Sequence, residues 1–94
     1  MKILIKKYCG SFAENKDQAH NIRENYIRPE LESTNKVIVL DFSGVDSSTQ
    51  SFVHALISGF FQDLGEEALE RFEFHNCTKA VKSLVGTVIN YSLE

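Results

Sequence analysis

The chain has few cysteines, a single proline and no apolar run long enough to cross a membrane. Its only cysteines, Cys9 and Cys77, lie too far apart in the sequence to be a disulfide framework, so we expect two reduced thiols. The apolar run that follows Lys2 stops after three residues, which is shorter than the core of a signal peptide. These absences predict a cytoplasmic protein without a membrane span.

The chain also lacks a sustained cluster of basic residues. It has 10 Lys and Arg against 13 Asp and Glu, a net charge of −3, and beyond Lys6 and Lys7 its basic residues occur singly. Phosphate neutralisation needs a concentrated basic face, so we expect no nucleic-acid partner.

Sequence signals for a cofactor, a metal ion or catalysis are missing as well. The five glycines are too dispersed for a phosphate-binding loop of the dinucleotide or P-loop type. His20, His54 and His75 show no ligand spacing with either cysteine. His75 and Cys77 are two residues apart at a predicted strand end, which is not the arrangement of a nucleophilic triad. We therefore expect no enzyme, no cofactor, no metal site and no catalytic residue.

The 94 residues are enough for a single domain, residues 1–94, with one hydrophobic core. Apolar spacing predicts strands at 3–5, 37–42 and 69–75, which alternate with helices at 12–28, from about 47 to 64, and at 77–92. This βαβαβα order predicts an α/β fold with a mostly parallel sheet packed by helices. The strand at 37–42 is apolar on both faces, so it belongs at the centre of the sheet.

Single residues predict where the helices begin and end. Pro29 predicts the end of the first helix, and Gly65 predicts a left-handed C-cap after the second. Gly59 and Gly86 lie inside helices, and at Gly59 we expect close backbone packing to offset the cost of glycine. Capping residues are predicted at three helix starts: Ser11 with Glu14, Ser47 with Gln50, and Asn76.

A hydroxyl-rich turn follows the central strand. In parallel sheets, sites lie outside the carboxyl ends of the strands, and this rim would include residues 9–11, 43–48 and 75–78. The hydroxyls can serve as turn and cap groups, as phosphoacceptors or as a docking point. Asp46 is expected in an Asx-type turn and Asp41 as a carboxylate on the rim. The candidate site residues are Ser43, Gly44, Asp46, Ser47, Ser48, Thr49, Gln50 and Ser51.

Residues 37–52 resemble the signature of STAS domains, the fold of bacterial anti-sigma factor antagonists. In that family a hydrophobic strand ends in an Asp-Leu-Ser-Gly-Val-type turn before a helix, and here residues 41–45 read Asp-Phe-Ser-Gly-Val. Residues 72–81 are similar to the family's later strand, Asn turn and final helix, and residues 10–13 lie where its first helix begins. The resemblance covers nearly the whole chain and is closest to compact STAS-like domains of unassigned function.

The resemblance implies a signalling role through a phosphorylated turn. Antagonists of this family carry an Asp-Ser-Ser-Gly-like motif whose first serine is phosphorylated by a cognate kinase. An ungapped reading from Asp41 places residues 49–52 at that motif, so that Gln50, which cannot accept phosphate, takes the acceptor position and Ser51 follows it. A short gap would instead place residues 46–48 there.

These observations favour a non-enzymatic regulatory module that docks a protein partner through residues 43–51. The resemblance implies a histidine-kinase-like ATPase as that partner, with a Ser/Thr phospho-switch. The sequence leaves open whether the chain also forms a homo-oligomer. One alternative is a small nucleotide-binding or catalytic domain that uses Asp41, Asp46 and the hydroxyl-rich turn after the central strand, which we call the serine turn. Another is a structural subunit of a larger assembly, for which exposed Phe72 and Phe74 would be the sign.

Overall fold

A computed structural model describes all residues, 1–94. Its main sheet has three parallel strands, β1 (Lys2–Leu4), β3 (Ile38–Asp41) and β5 (Phe72–His75), in the order β1-β3-β5. Two shorter strands, β2 (Phe12–Ala13) and β4 (Ser47–Ser48), form a separate parallel pair. The predicted α/β class and the central place of the apolar strand are confirmed.

The register brings the carboxyl ends of the three strands to one level. Leu4 lies opposite Asp41, and Asp41 lies opposite His75 on its other side. The chain segments that leave β1, β3 and β5 therefore start side by side, as the sequence predicted for a parallel sheet.

Helical segments connect the strands. In chain order they are α1 (Ile5–Cys9), α2 (Lys16–Ile22), a π-helical turn (Arg23–Ile27), α3 (Arg28–Ser33), α4 (Gln50–Leu64), a 3-10 turn (Gly65–Glu67), α5 (Ala68–Arg71) and α6 (Lys79–Leu93). None of them combines the length and the continuous apolarity that crossing a bilayer requires.

Helix α4 supplies the largest part of the core, as its wide apolar face predicted. It packs between α2 and α6. Its Phe60 and Phe61 rings each lie 5.7 Å from the Phe72 ring of β5, measured between centroids. Ile38 and Leu40 of β3 are fully buried in the same cluster. This packing holds the amino end of α4 close to the carboxyl edge of the sheet.

The first predicted helix, 12–28, has wrong bounds at both ends. Residues 12 and 13 pair with residues 47 and 48 in the small sheet, so the helix begins only at Lys16. At the other end Pro29 lies in the first turn of α3, and the helical path continues to Ser33. A π-helical turn precedes α3, and proline is tolerated in a first turn because its missing N–H is not needed there.

All three predicted helix caps are wrong, and long-range contacts explain two of them. Asn15, not Ser11 with Glu14, caps α2. Ser47 is held in the β2–β4 pair, so Thr49 caps α4 by accepting from the Phe52 N–H. Asn76 has a φ of +58° and bonds to Asp41, and Thr78 caps α6 instead.

Two further expectations fail and one is confirmed only in part. The third strand begins at Phe72 rather than at residue 69, because residues 68–71 form α5. A Cβ placed on Gly59 would meet nothing within 4 Å, so the close backbone packing predicted there is absent. Gly65 is the C-cap of α4 and has a positive φ of +62°, as predicted, but its ψ of −142° lies outside the left-handed helical region.

Candidate functional site

The Asp41 carboxylate contacts the Lys2 side chain of β1, the turn after β3 and the residue that follows β5. Asp41 is 3 % exposed, and its Oδ1 accepts from the Ser43 N–H at 2.8 Å and from Asn76 Nδ2 at 3.0 Å. Its Oδ2 lies 3.1 Å from the Lys2 Nζ of β1. Asp41 is therefore at the rim, as predicted, but it is buried and both of its oxygens have partners within the protein.

These contacts favour the ionised form of Asp41. Hydrogen bonds from the Asn76 side chain, the Ser43 N–H and Lys2 lower the pKa of Asp41 from its ordinary value of 3.8 to about 2. A carboxyl with a depressed pKa in the folded state stabilises that state above its unfolded pKa, and the contribution is lost as the pH falls through the folded value.

We expect the stability difference between the wild-type chain and Asp41→Asn to be largest near neutral pH. It should shrink as the pH falls from about 4 towards 2, because the wild-type carboxyl is then protonated and loses its ionic contacts. Urea unfolding of both chains at a series of pH values measures this difference. A difference that stays constant over that range would show that the Asp41 charge does not hold the strand ends together.

The turn after β3 has a defined geometry. The Val45 N–H donates to the Phe42 carbonyl at 2.9 Å, and Gly44 has a φ of +79°. This combination is a type II turn, which favours glycine at its third position. The bond from the Ser43 N–H to the Asp41 carboxylate is an Asx-type turn, which was predicted for Asp46 instead. The Asp-Phe-Ser-Gly-Val sequence thus encodes two interlocked turns.

Three loops meet beside this turn. The Asp46 N–H donates to the Ser11 carbonyl at 2.8 Å, and the Thr78 hydroxyl donates to the Asp46 carbonyl at 3.1 Å. Segments that follow β1, β3 and β5 are therefore bonded to one another through the backbone of Asp46. The rim predicted from residues 9–11, 43–48 and 75–78 is formed by these contacts.

The candidate hydroxyls divide into internal and exposed groups. The Ser48 hydroxyl donates to the Ala13 carbonyl at 2.7 Å, and the Thr49 hydroxyl caps α4. Ser47 is half-buried in β4. The other candidates are exposed, and we call this set the docking rim: Ser43, Gly44, Asp46, Gln50 and Ser51.

The start of α4 agrees with the ungapped reading of the sequence. Thr49 is the N-cap, Gln50 is the first helical residue and Ser51 is the second. The gapped reading would require the helix to start near Ser47, which lies in a strand instead. Ser51 is therefore the exposed hydroxyl next to the family's acceptor position, and its Oγ lies 3.3 Å from the Thr49 Oγ1.

A cleft between α2 and α4, which was not predicted from the sequence, adjoins the docking rim. Lys16, His20 and Arg23 line one wall, and Ser51, His54 and Ser58 are on the other. Both sets have helical spacing of three or four residues, which places each on one face of its helix. That periodicity was a usable signal, but only the packing of α2 on α4 brings the two faces together.

The cysteines and His75 form no nucleophilic site. Burial raises the pKa of Cys9 to about 11 and also raises the pKa of Cys77, so both thiols are protonated near neutral pH. The ring Nε2 of His75 lies 2.8 Å from Glu73 Oε1 rather than at a thiol. Cys9 and Cys77 are both free, as predicted, and no group of three potential metal ligands occurs.

One comparison with known proteins found a match. The model of a family described as STAS-like domains of unknown function (DUF4325) matches residues 18–82, which include β3, the serine turn, α4, β5 and the start of α6. No curated protein and no solved structure matches the chain.

Proposed function

This chain belongs to the family of STAS-like domains of unknown function, and on that premise we propose that it is a regulatory protein-interaction module without enzymatic activity. A single observation carries the proposal: the five residues of the docking rim are exposed, while the backbone beneath them is bonded into a rigid junction of three loops. An exposed polar surface on a rigid support suits recognition of another protein, since little order must be gained on binding.

The partner that we propose is a histidine-kinase-like ATPase. Support comes from the resemblance of residues 41–45 to the turn of anti-sigma factor antagonists and from the exposed start of α4 directly after it. The alternative of a nucleotide site at Asp41 has less support. Both oxygens of Asp41 are already in contacts with Lys2, Ser43 and Asn76, so they are not available to a ligand.

We further propose that Ser51 is the residue whose modification controls docking. Its side chain is exposed in the first turn of α4, where a phosphate is stabilised by the helix dipole. Phosphorylation would add nearly two negative charges to the docking rim, which already carries Asp46. A partner that recognises the unmodified rim would then be repelled or released.

The docking proposal predicts that Ser51→Arg reduces partner capture at least tenfold, which corresponds to about 1.4 kcal/mol. The wild-type chain and each variant are immobilised, exposed to extract of the source cells and compared by quantitative mass spectrometry. Asn90→Arg is the matched control, because Asn90 is exposed near the far end of α6 and should leave capture unchanged. Capture of no ATPase of this class, or equal capture by both variants, would contradict the proposal.

The modification is tested separately by intact mass and site mapping of the chain from its native cells. Phosphate on Ser51 would support the switch. Phosphate on Ser47 or Ser48 would instead support the gapped reading of the motif, and an unmodified chain under all growth conditions would count against any phospho-switch.

A further inference from the structure

The cleft between α2 and α4 is lined by polar and basic residues, in contrast to the acidic composition of the whole chain. It is open, has a volume of about 600 Å³, and Ala55 is its only apolar lining residue. No Asp or Glu lines it, although acidic residues outnumber basic ones in the chain by 13 to 10. A site of this size accommodates a small molecule.

The cationic groups of the cleft are not equivalent. Arg23 is paired with Glu24, at 2.8 Å between Nε and Oε2, and its Nη1 donates to the Ala55 carbonyl of α4 at 3.0 Å. Arg23 therefore ties the two walls together. Lys16, which begins α2, takes part in none of the ion pairs of the protein, so its charge is available to a ligand.

The Arg23 contact also sets the tautomer of His20. Arg23 Nη2 lies 2.8 Å from His20 Nδ1, and a guanidinium can only donate. Nδ1 must then be the acceptor, so the proton of the neutral ring is on Nε2. His20 thus presents a hydrogen-bond donor as its second ring nitrogen.

The α4 wall adds donors of two kinds. The Phe52 N–H is capped by Thr49 and the Val53 N–H bonds to the Thr49 carbonyl, which leaves the amides of Gln50 and Ser51 without a partner in the helix. Deeper in the cleft, Ser58 is only 5 % exposed, and no protein group forms a hydrogen bond with its hydroxyl. Because this hydroxyl is not sealed off from the cleft, it is available to bond a ligand or a water there.

We infer that this cleft binds a phosphate group, with Lys16, the His20 Nε2–H, His54 and the first amides of α4 as its contacts. The Ser58 hydroxyl lies about two helical turns further along α4, where it would contact the group that carries the phosphate. A phosphate dianion suits the contacts at the amino end of α4, since they are cations or hydrogen-bond donors, and the α4 dipole favours the same charge. A metal ion does not fit, because Lys16 and Arg23 repel it and no carboxylate or thiolate is present. The inference goes beyond the proposed docking and does not depend on it.

The test is a titration of the isotopically labelled chain, followed by amide NMR shifts at constant ionic strength. Inorganic phosphate and glycerol phosphate are added in separate arms, with acetate as a monovalent control. We expect saturable shifts at Gln50, Ser51 and His54, with a dissociation constant on the order of 1 mM. The arm that saturates at lower concentration tells free phosphate from a phosphate carried by an organic molecule.

The variants Lys16→Gln and His54→Gln should each weaken binding about tenfold, as expected for a charge-assisted contact. Lys82→Gln removes the same charge from an exposed residue of α6 and should leave binding unchanged. The inference is overturned if neither phosphate gives saturable shifts, if acetate does so equally, or if Lys82→Gln weakens binding as much as Lys16→Gln. Lys16 lies outside the docking rim. The phosphate titration of Lys16→Gln and the partner capture by Ser51→Arg can therefore fail separately.

Discussion

Replacing Phe42 by alanine should lower the free energy of unfolding by about 3–5 kcal/mol. Phe42 is fully buried and lies directly after the last residue of β3. Its N–H donates to the His75 carbonyl at 2.9 Å, and its carbonyl closes the turn to Val45. The ring therefore anchors the serine turn into the core, and its removal leaves a cavity beneath the rim.

Loss of this size is a large part of the stability of a small domain, which is about 5–15 kcal/mol in total. Urea unfolding followed by circular dichroism measures it. Phe42→Leu keeps most of the volume and should lose much less, whereas Leu69→Ala, at a side chain that is 51 % exposed, should change stability by no more than about 0.5 kcal/mol. A loss below about 1 kcal/mol for Phe42→Ala would show that the turn is not anchored by this ring.

The architecture of the sheet was predictable because the strongest signals were also the most local ones. Residues 37–40 are apolar on both alternating faces, and such a strand is stable only between two neighbours and under cover from both sides. The apolar face of α4 was equally clear over four turns. Both signals depend on neighbours within a few residues, so one sequence was sufficient to find them.

Two of the three wrong helix caps involve groups that are far apart in the sequence. Ser47 has the spacing of a capping residue, yet it pairs with Phe12, 35 residues earlier, and Thr49 takes the cap. Asn76 likewise bonds to Asp41, 35 residues away, instead of starting α6. A local cap is worth about 1 kcal/mol, so one long-range contact is enough to decide between two neighbouring caps.

The position of the rim was predicted from the sequence, but the structural role of each of its residues was not. Strand order brought the three loops together, whereas Asp41 was expected as a rim carboxylate and is the buried link between strand ends. The cleft was missed because Lys16 and His20 look like ordinary solvated residues of a helix. Only the packing angle of α2 on α4 turns their face towards His54, and no pattern within either helix specifies that angle.

Replacing Gly44 by alanine should destabilise the fold by about 1–3 kcal/mol. Gly44 has a φ of +79°, which side chains rarely adopt, and the Asx-type turn at Asp41 holds the preceding residue in place. A Cβ on Gly44 would also lie 2.6 Å from the Cδ of Lys6. Both effects act on the turn that supports the docking rim, so partner capture should weaken together with stability.

A double-mutant cycle with Lys6→Ala separates the two causes. The Lys6 side chain is flexible and exposed, so it can move aside, and we expect Gly44→Ala to cost nearly the same with or without it. Gly86→Ala should have the opposite sign and stabilise the chain by up to about 1 kcal/mol, because Gly86 lies inside a helix with open space around it. Recovery of stability in the double variant would instead assign the cost to the Lys6 contact, and the backbone of the turn would then tolerate residues other than glycine.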